Sequence, residues 1–310
     1  MRAAGDRWWL GLAALAAIVA YHGEATDRAR VHAAVAARAA PNSAGQPATS
    51  GARASDSTWR VVWADEFDGA AGDPPNPRTW VADTGDGCAR GICGWGNQER
   101  QSYTASRENA ALTGTGQLAI TARVAPAGLR CWYGPCRYTS AKFITKGTVE
   151  VGYGRVAIRA KVPLGQGVWP AFWMLGAGWP TTSWPQCGEL DVMEYGGGKP
   201  TINSSSVHGP GYSGQTPFTN RYARAAGTFA DGYHVYAVER DARAIRFLVD
   251  DSVHYTATRE AIEQKGAWVF DGPMFLLLNL AIGGIFDGDP ASDAVLPATL
   301  LVDWVRVYTR

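Results

Sequence analysis

The sequence predicts an all-β fold, a sandwich or barrel formed by residues 58–310. From Thr58 onward, short runs rich in Val, Ile, Phe and Trp are interrupted by Gly, Pro and Asn. Such runs are typical of strands, and the longer apolar period that marks helices is almost absent. Because these residues show no internal repeat and no change of character, we expect a single domain.

Several elements can be assigned in order along the chain. Residues 147–162, 233–239, 244–249 and 300–308 alternate apolar and polar side chains, as half-buried strands do. Residues 274–282 are nearly all apolar, which predicts a strand buried on both faces. One modest helix is expected near residues 257–264.

The first 57 residues have a different character. Residues 1–7 carry two arginines and one aspartate, and residues 8–21 are an unbroken run of fourteen apolar or glycine residues. This run is shorter than the roughly 20 residues of a membrane-spanning helix, so residues 1–25 are predicted to be a signal peptide or, if uncleaved, an N-terminal membrane anchor. Residues 26–57 lack aromatic side chains and are predicted to be a disordered low-complexity linker. Secretion is the expected localisation.

Five cysteines fit an exported protein. Cys88 and Cys93, like Cys131 and Cys136, are separated by four residues in Gly-containing segments, so two local disulfides are expected. Cys187 is left as a buried free thiol. A metal site formed by cysteines is disfavoured, because no matching Cys or His pair stands at ligand spacing.

The chemistry of the chain is concentrated in residues 184–198, which place Glu189, Asp191 and Glu194 within six residues. On a regular strand, Glu194 would face away from the other two carboxylates. A β-bulge between Asp191 and Glu194, with Met193 as the extra residue, would return all three to one face. The glutamate carboxyls would then lie ~5 Å apart, the separation expected for retaining glycoside hydrolysis.

The alternative is a solvated acidic edge strand. Leu190 and Val192 argue against it, because apolar neighbours indicate an inner strand with its acids in a cleft. In such a cleft Asp191 would orient Glu189 and raise the pKa of Glu194 by repulsion between like charges.

Residues 188–194, Gly-Glu-Leu-Asp-Val-Met-Glu, resemble the active-site signature of glycoside hydrolase family 16 in its bulged, laminarinase-like form. Further matching segments lie at residues 59–68, 94–99, 138–143, 167–175, 208–214 and 302–308. The resemblance covers residues 58–310, is greatest to bacterial endo-β-1,3-glucanases, and implies a β-sandwich jelly roll with a concave substrate cleft. It also implies that Glu189 is the nucleophile, Asp191 its assistant and Glu194 the acid/base.

The implied function is retaining endo-hydrolysis of β-1,3 or mixed β-1,3-1,4 glucans by double displacement. The alternatives on the same fold are a transglycosylase and a non-catalytic β-glucan-binding protein. A polysaccharide substrate and a monomeric protein are expected, with no cofactor required for catalysis. A net charge of +1, scattered along the chain, leaves no basic stripe for nucleic acid.

Substrate contacts are expected from aromatic and polar side chains around the carboxylates. The chain has thirteen tryptophans, whose flat rings suit the apolar faces of sugars, although core packing is the ordinary use of tryptophan. The predicted substrate-binding residues are Trp95, Asn97, Glu99, Trp169, Trp173, Trp184, His208 and Asn279. Asn279 could equally be a hydrogen-bonded core amide.

A structural calcium ion is also implied by the resemblance. Asp303 matches the carboxylate ligand, and backbone carbonyls near Glu66 and Gly116 would complete the site; the alternative is that Asp303 is only a charge at a strand edge.

Three departures from the family pattern affect expectations for the outer subsites. Residues 283–288 read Gly-Gly-Ile-Phe-Asp-Gly, where relatives usually have Gly-Gly-x-Trp-Pro-Gly. Phe286, Arg240 and Phe247 thus stand where tryptophans are common, so the resemblance leaves the catalytic strand intact but does not carry over to the reach and preference of the outer sugar subsites.

Overall fold

The computed structural model of the protein describes residues 58–310, most of whose strands form two packed β-sheets. A separate two-stranded sheet is formed by Arg130–Cys131 and Gly134–Pro135. The predicted signal peptide or anchor at 1–25 and the predicted linker at 26–57 lie outside the described residues. No helix in the described part of the chain is long and apolar enough to cross a membrane.

The strands are numbered in chain order. They are β1 (Arg60–Asp65), β2 (Val81–Ala82), β3 (Gln101–Tyr103), β4 (Ala110–Leu112), β5 (Leu118–Val124), β6 (Arg130–Cys131), β7 (Gly134–Pro135), β8 (Tyr138–Ser140), β9 (Lys142–Ile144), β10 (Glu150–Val151), β11 (Gly154–Lys161), β12 (Val168–Gly176), β13 (Glu189–Tyr195), β14 (Ile202–His208), β15 (Phe218–Ala223), β16 (His234–Arg240), β17 (Ala244–Val249), β18 (Ser252–Thr258), β19 (Met274–Ile282) and β20 (Ala298–Thr309). The helices are α1 (Arg259–Glu263) and three short 3₁₀ turns at Cys88–Arg90, Cys93–Gly96 and Asp293–Val295.

The larger sheet has the order β18-β17-β16-β11-β20-β5-β8-β3, with β1 also paired to β20 and β4 to β5. The smaller sheet has the order β15-β14-β13-β12-β19-β9-β2, with β10 also paired to β19. The predicted all-β sandwich of the jelly-roll type is therefore confirmed. Strand β17 and helix α1 lie where they were predicted, whereas the predicted strand at 147–162 is divided into β10 and β11.

The core lies between the sheets and is filled by alternate residues of facing strands. Ile158 and Val305 of the larger sheet pack in the same cluster as Phe172, Leu190 and Leu278 of the smaller sheet. This alternation leaves the other face of the smaller sheet free to carry a cleft.

Strand β19 is buried along its whole length, as its apolar sequence predicts. Leu276 and Leu278 point into the core between the sheets, whereas Phe275, Leu277 and Asn279 line the cleft. The floor of the cleft is thus the outer face of a strand whose inner face anchors the sandwich.

The cysteines behave as predicted. Cys88 is bonded to Cys93 and Cys131 to Cys136, and Cys187 is free and buried.

Two of the three departures from the family pattern lie away from the cleft. Phe247 belongs to the core between the sheets and stacks on Tyr255, with ring centroids 6.0 Å apart. Arg240 is buried and donates to the backbone carbonyls of Val151, Gly152, Phe270 and Gly272. Both side chains therefore serve internal packing, and neither lines the cleft.

Candidate active site

A β-bulge in β13 is visible in its register with β14. Asp191 lies opposite Ser206 and Glu194 lies opposite Ser204, so two residues of β13 face the single residue Ser205 of β14. The predicted bulge between the second and third carboxylates is confirmed.

The identity of the extra residue differs from the prediction. Met193 pairs with Phe172 of β12, and Val192 is the residue that the register skips. Val192 and Met193 are both buried in the core between the sheets. Two successive side chains therefore point inward, and Glu194 turns back to the same face as Glu189.

All three carboxylates line a cleft of about 350 Å³ on the outer face of the smaller sheet. Strand β13 enters this cleft directly after Gly188, whose φ of 77° lies in the left-handed region that favours glycine. Of the predicted substrate-binding residues, those that line the cleft are Trp95, Asn97, Glu99, Trp169, Trp173, Trp184 and Asn279.

His208, the remaining predicted residue, stands against the carboxylates. Its Nε2 lies 3.1 Å from Asp191 Oδ2 and 3.8 Å from Glu189 Oε1, because His208 is the register partner of Glu189 across β13 and β14. The ligand atoms of these three side chains lie within 4.8 Å of one another, so they could hold a metal ion. The same spacing also suits carboxylates that share protons, and it does not require a metal.

Burial and crowding raise the pKa of every carboxyl in β13. Burial, followed by the negative charge of Asp191, raises the pKa of Glu189 to about 8. Burial also raises the pKa of Asp191 to about 8. The pKa of Glu194 is raised well above its usual range, first by burial and then by the charges of Asp191 and Glu189. Repulsion between like charges was expected for Glu194, but burial is the larger cause.

The positive and polar neighbours oppose these shifts unequally. His208 and the indole N–H of Trp184 both favour the ionised form of Glu189, which offsets part of the rise in its pKa. Trp169 likewise favours the ionised form of Glu194. Its Nε1 is nevertheless buried without a hydrogen-bond partner among the described residues, so the contact is weaker than a formed hydrogen bond.

A hydrogen-bond network supports the cleft on the side of β3 and β19. Asn279 accepts from Trp173 Nε1 at 2.7 Å and donates to the Tyr103 hydroxyl at 3.1 Å. That hydroxyl donates to Glu99 at 3.1 Å, and Gln101 donates to the same carboxylate oxygen at 2.6 Å. Asn279 is thus both a satisfied amide and a cleft residue, and the network fixes the orientations of Trp173 and Glu99.

Several cleft residues were not singled out from the sequence as binding residues, among them Asp83, Arg90, Lys142 and Trp179. Lys142 is buried, ion-pairs with Asp83 at 3.4 Å, and places its Nζ 3.9 Å from the ring centroid of Trp95. Arg90 also pairs with Asp83 and lies over the rings of Trp95 and Trp179. A lysine inside the otherwise apolar strand β9 is the signal that could have identified this group.

Trp95 itself is held in a strained conformation. Its φ of 53° lies in the left-handed region that costs a non-glycine residue roughly 1–2 kcal/mol. The segment is closed by the Cys88–Cys93 disulfide on one side and by the hydrogen bond from Trp95 Nε1 to the Gly85 carbonyl on the other. Such strain persists where the surroundings hold a side chain in place, here as a wall of the cleft.

Phe286, the third departure from the family pattern, contacts the cleft through Trp169. The two rings are stacked, with centroids 4.8 Å apart and planes 14° from parallel. Phe286 therefore supports a cleft tryptophan from behind, a geometry in which aromatic pairs contribute about 0.5–1.5 kcal/mol.

The predicted calcium donors are only partly grouped. The Glu66 carbonyl lies beside Gly116, since a Cβ placed on that glycine would be 3.9 Å from it. The Asp303 carboxylate, however, is engaged by the guanidinium of Arg159, and the Glu66 carboxylate by Arg306. The carbonyls suit a hard cation, whereas the only predicted side-chain ligand already has a cationic partner. Calcium binding stays a prediction.

The fold and site together define a class of protein: a β-sandwich enzyme whose sheet carries clustered carboxylates among tryptophans, as glycoside hydrolases do. The family model "Glycosyl hydrolases family 16" matches residues 97–306, and the chain belongs to this family.

Individual relatives agree with this assignment. The chain is 38% identical over 257 residues to a "Beta-glucanase" of Rhodothermus marinus, covering 81% of this chain and 85% of that protein. The laminarinase catalytic domain of Thermotoga maritima has 38% identity and a TM-score of 0.76, covering 81% of this chain and 98% of that one. The endo-β-1,3-glucanase of Pyrococcus furiosus has 39% identity and a TM-score of 0.76, covering 81% and 94%.

Proposed function

We propose that the protein is a retaining endo-β-glucanase that hydrolyses internal β-1,3 bonds of glucans by double displacement. The bulge in β13 carries this proposal, because it turns Glu189, Asp191 and Glu194 into one tryptophan-walled cleft. The names of the relatives, a β-glucanase, a laminarinase and an endo-β-1,3-glucanase, support the substrate class.

In the proposed cycle, Glu189 attacks the anomeric carbon, and Glu194 first donates a proton to the leaving oxygen and then takes one from water. The first step requires an ionised Glu189 and a protonated Glu194. The electrostatics favour this distribution, because burial and two neighbouring carboxylates raise the pKa of Glu194 well above its usual range, while His208 and Trp184 favour the anion of Glu189.

Asp191 is proposed to assist Glu189 by sharing a proton with it. An oxygen of each carboxyl lies within 4.8 Å of the other, and burial raises the pKa of Asp191 to about 8. A protonated Asp191 would donate to the Glu189 carboxylate and hold it toward the substrate, and it would release that bond as the glycosyl ester forms.

The seven cleft residues Trp95, Asn97, Glu99, Trp169, Trp173, Trp184 and Asn279 are proposed to bind the glucan chain, with His208 acting on the carboxylates. The rings would stack on the apolar faces of sugars, and the polar groups would bond to hydroxyls. Secretion is proposed as well, since two disulfides suit an oxidising compartment. We also propose that any calcium bound near Glu66 and Gly116 acts on stability and not on catalysis.

The test is the stereochemistry of hydrolysis. Proton NMR of laminarin digestion, recorded before mutarotation, should show the β-anomer as the first product, and Glu189→Gln should abolish the reaction. An α-anomer would overturn the mechanism and the assignment of Glu189. Longer oligosaccharides at high acceptor concentration would identify a transglycosylase, and binding without turnover would identify a glucan-binding protein. A panel with laminarin, mixed-linkage glucan and a galactan fixes the linkage.

A further inference from the structure

Ser205 occupies a singular position in β14. It is the single residue that lies opposite the two bulge residues of β13, Val192 and Met193. Its side chain is fully buried, and its hydroxyl donates a hydrogen bond of 2.9 Å to the carbonyl oxygen of Val192. Val192 has no register partner on either β12 or β14. The hydroxyl of Ser205 therefore ties the bulge to β14 at the residue where regular pairing is interrupted.

The neighbours of Ser205 leave its proton directed at Val192. His254 Nδ1 lies 3.2 Å from Asn220 Oδ1, and burial lowers the pKa of His254 to about 4, so the ring is neutral with Nδ1 as its donor. Its Nε2 is then an acceptor, but it lies 3.4 Å from the Ser205 oxygen, farther than the Val192 carbonyl. Asn203 donates to Ser205 at 3.5 Å. The hydroxyl thus accepts from Asn203 and donates to the bulge.

We propose that Ser205 is a positioning residue for catalysis, which holds the bulge of β13 and thereby fixes where Glu194 projects into the cleft. The inference rests on the proposed function. Its physical reason is that strand alternation has a period of two, so a slip of one residue would turn Glu194 toward the core. Burial of Val192 and Met193 disfavours such a slip, but apolar packing is not directional and does not fix the backbone of the bulge at Val192. A directional hydrogen bond does.

The experiment compares Ser205→Ala and Ser205→Cys with the unsubstituted protein and with Ser140→Ala. Ser140 is a matched control, since it is a fully buried serine on β8 whose hydroxyl has no partner among the described residues. Hydrolysis of laminarin is measured across pH at a temperature well below the unfolding midpoint of every variant. We expect kcat of Ser205→Ala to fall by about 10-fold or more with KM changed less than about twofold. The alkaline limb of its pH profile should move to lower pH, because Glu194 loses its fixed place beside the other carboxylates.

Ser205→Cys keeps a side chain of similar size and a weak hydrogen-bond donor. Its kcat should therefore lie between that of Ser205→Ala and that of the unsubstituted protein. If Ser205→Ala does not fold, the cysteine variant gives the same comparison. Amide hydrogen exchange supplies a readout besides activity: exchange at Met193 and Glu194 should quicken in Ser205→Ala and stay unchanged in Ser140→Ala. A lower melting temperature with kcat and the alkaline limb at their original values would overturn the inference. Absence of turnover by the unsubstituted protein would instead refute the proposed function, and the exchange measurement would still judge the role of Ser205.

Discussion

Glu189→Gln should make the folded protein more stable near neutral pH while it abolishes activity. The pKa of Glu189 is raised from 4.5 to about 8, so between these values the folded protein holds a proton that the unfolded chain releases. Stability therefore falls as pH rises through this window, and glutamine removes the penalty. A pH of about 7 lies about 2.5 units above 4.5, the pKa of this carboxyl in the unfolded chain. At about 1.4 kcal/mol per unit, the folded protein is destabilised by roughly 3 kcal/mol at that pH. This figure is an upper bound, because Asp191 and Glu194 compete for the same protons.

Urea unfolding of the two proteins at a series of pH values measures the effect. The stabilisation should be largest above about pH 8 and absent near pH 4, and thermal unfolding at neutral pH should shift upward by at most about 6–12 °C. Glu108→Gln is the control, since it makes the same substitution at an exposed glutamate. Equal or lower stability of Glu189→Gln at pH 7 would refute the argument that this carboxyl is held at a cost.

Four further predictions follow from individual contacts. Asp191→Asn should move the alkaline limb of kcat/KM to lower pH, because Asp191 is ionised above its pKa of about 8 and its charge then helps to raise the pKa of Glu194. An unmoved limb would mean that Asp191 only orients its neighbour. Phe286→Ala should lower kcat/KM on laminarin about 3–10-fold and Phe286→Trp should preserve it, because the ring supports Trp169; equal losses in both would argue against stacking. Arg240→Met should lower the free energy of unfolding in urea by about 3–5 kcal/mol, because four backbone carbonyls lose their donor. The control Arg60→Met, at an exposed position, should change the free energy of unfolding by less than about 0.5 kcal/mol. Removal of calcium with a chelator should lower the melting temperature but leave kcat at 25 °C unchanged, and a melting temperature insensitive to added calcium would contradict a calcium site.

Strand periodicity accounts for the part of the fold that the sequence predicts well. The apolar run of β19 identifies a strand buried on both faces, and the strand predicted at residues 244–249 coincides with β17. The bulge was predictable on chemical grounds, because Glu189 and Glu194 share a face only if the alternation shifts between them. The choice between Val192 and Met193 was not, since both are apolar and both enter the core.

Contacts between distant segments account for most of what the sequence could not predict. Asp83, Arg90 and Lys142 meet at the cleft wall from three separate segments, and no local pattern links them. Arg240 illustrates a second limit: its position in the family pattern left its effect on sugar subsites open, and only the structure shows that its partners are carbonyls within the fold. The residue type found at a family position does not indicate whether its side chain is buried or lies in the cleft.

The cleft combines groups that oppose folding with a scaffold that holds them. Three buried carboxyls with raised pKa values and a left-handed Trp95 each destabilise the native state. They persist because the opposite faces of the same strands form the core between the sheets, where Val192 and Met193 of the bulge are themselves buried. The catalytic residues and the core residues of β13 thus belong to one short chain segment. Loosening the core at Val192 and Met193 would therefore also displace Glu194 in the cleft. This coupling explains why a buried serine hydroxyl at the bulge can matter more for catalysis than its single hydrogen bond contributes to stability.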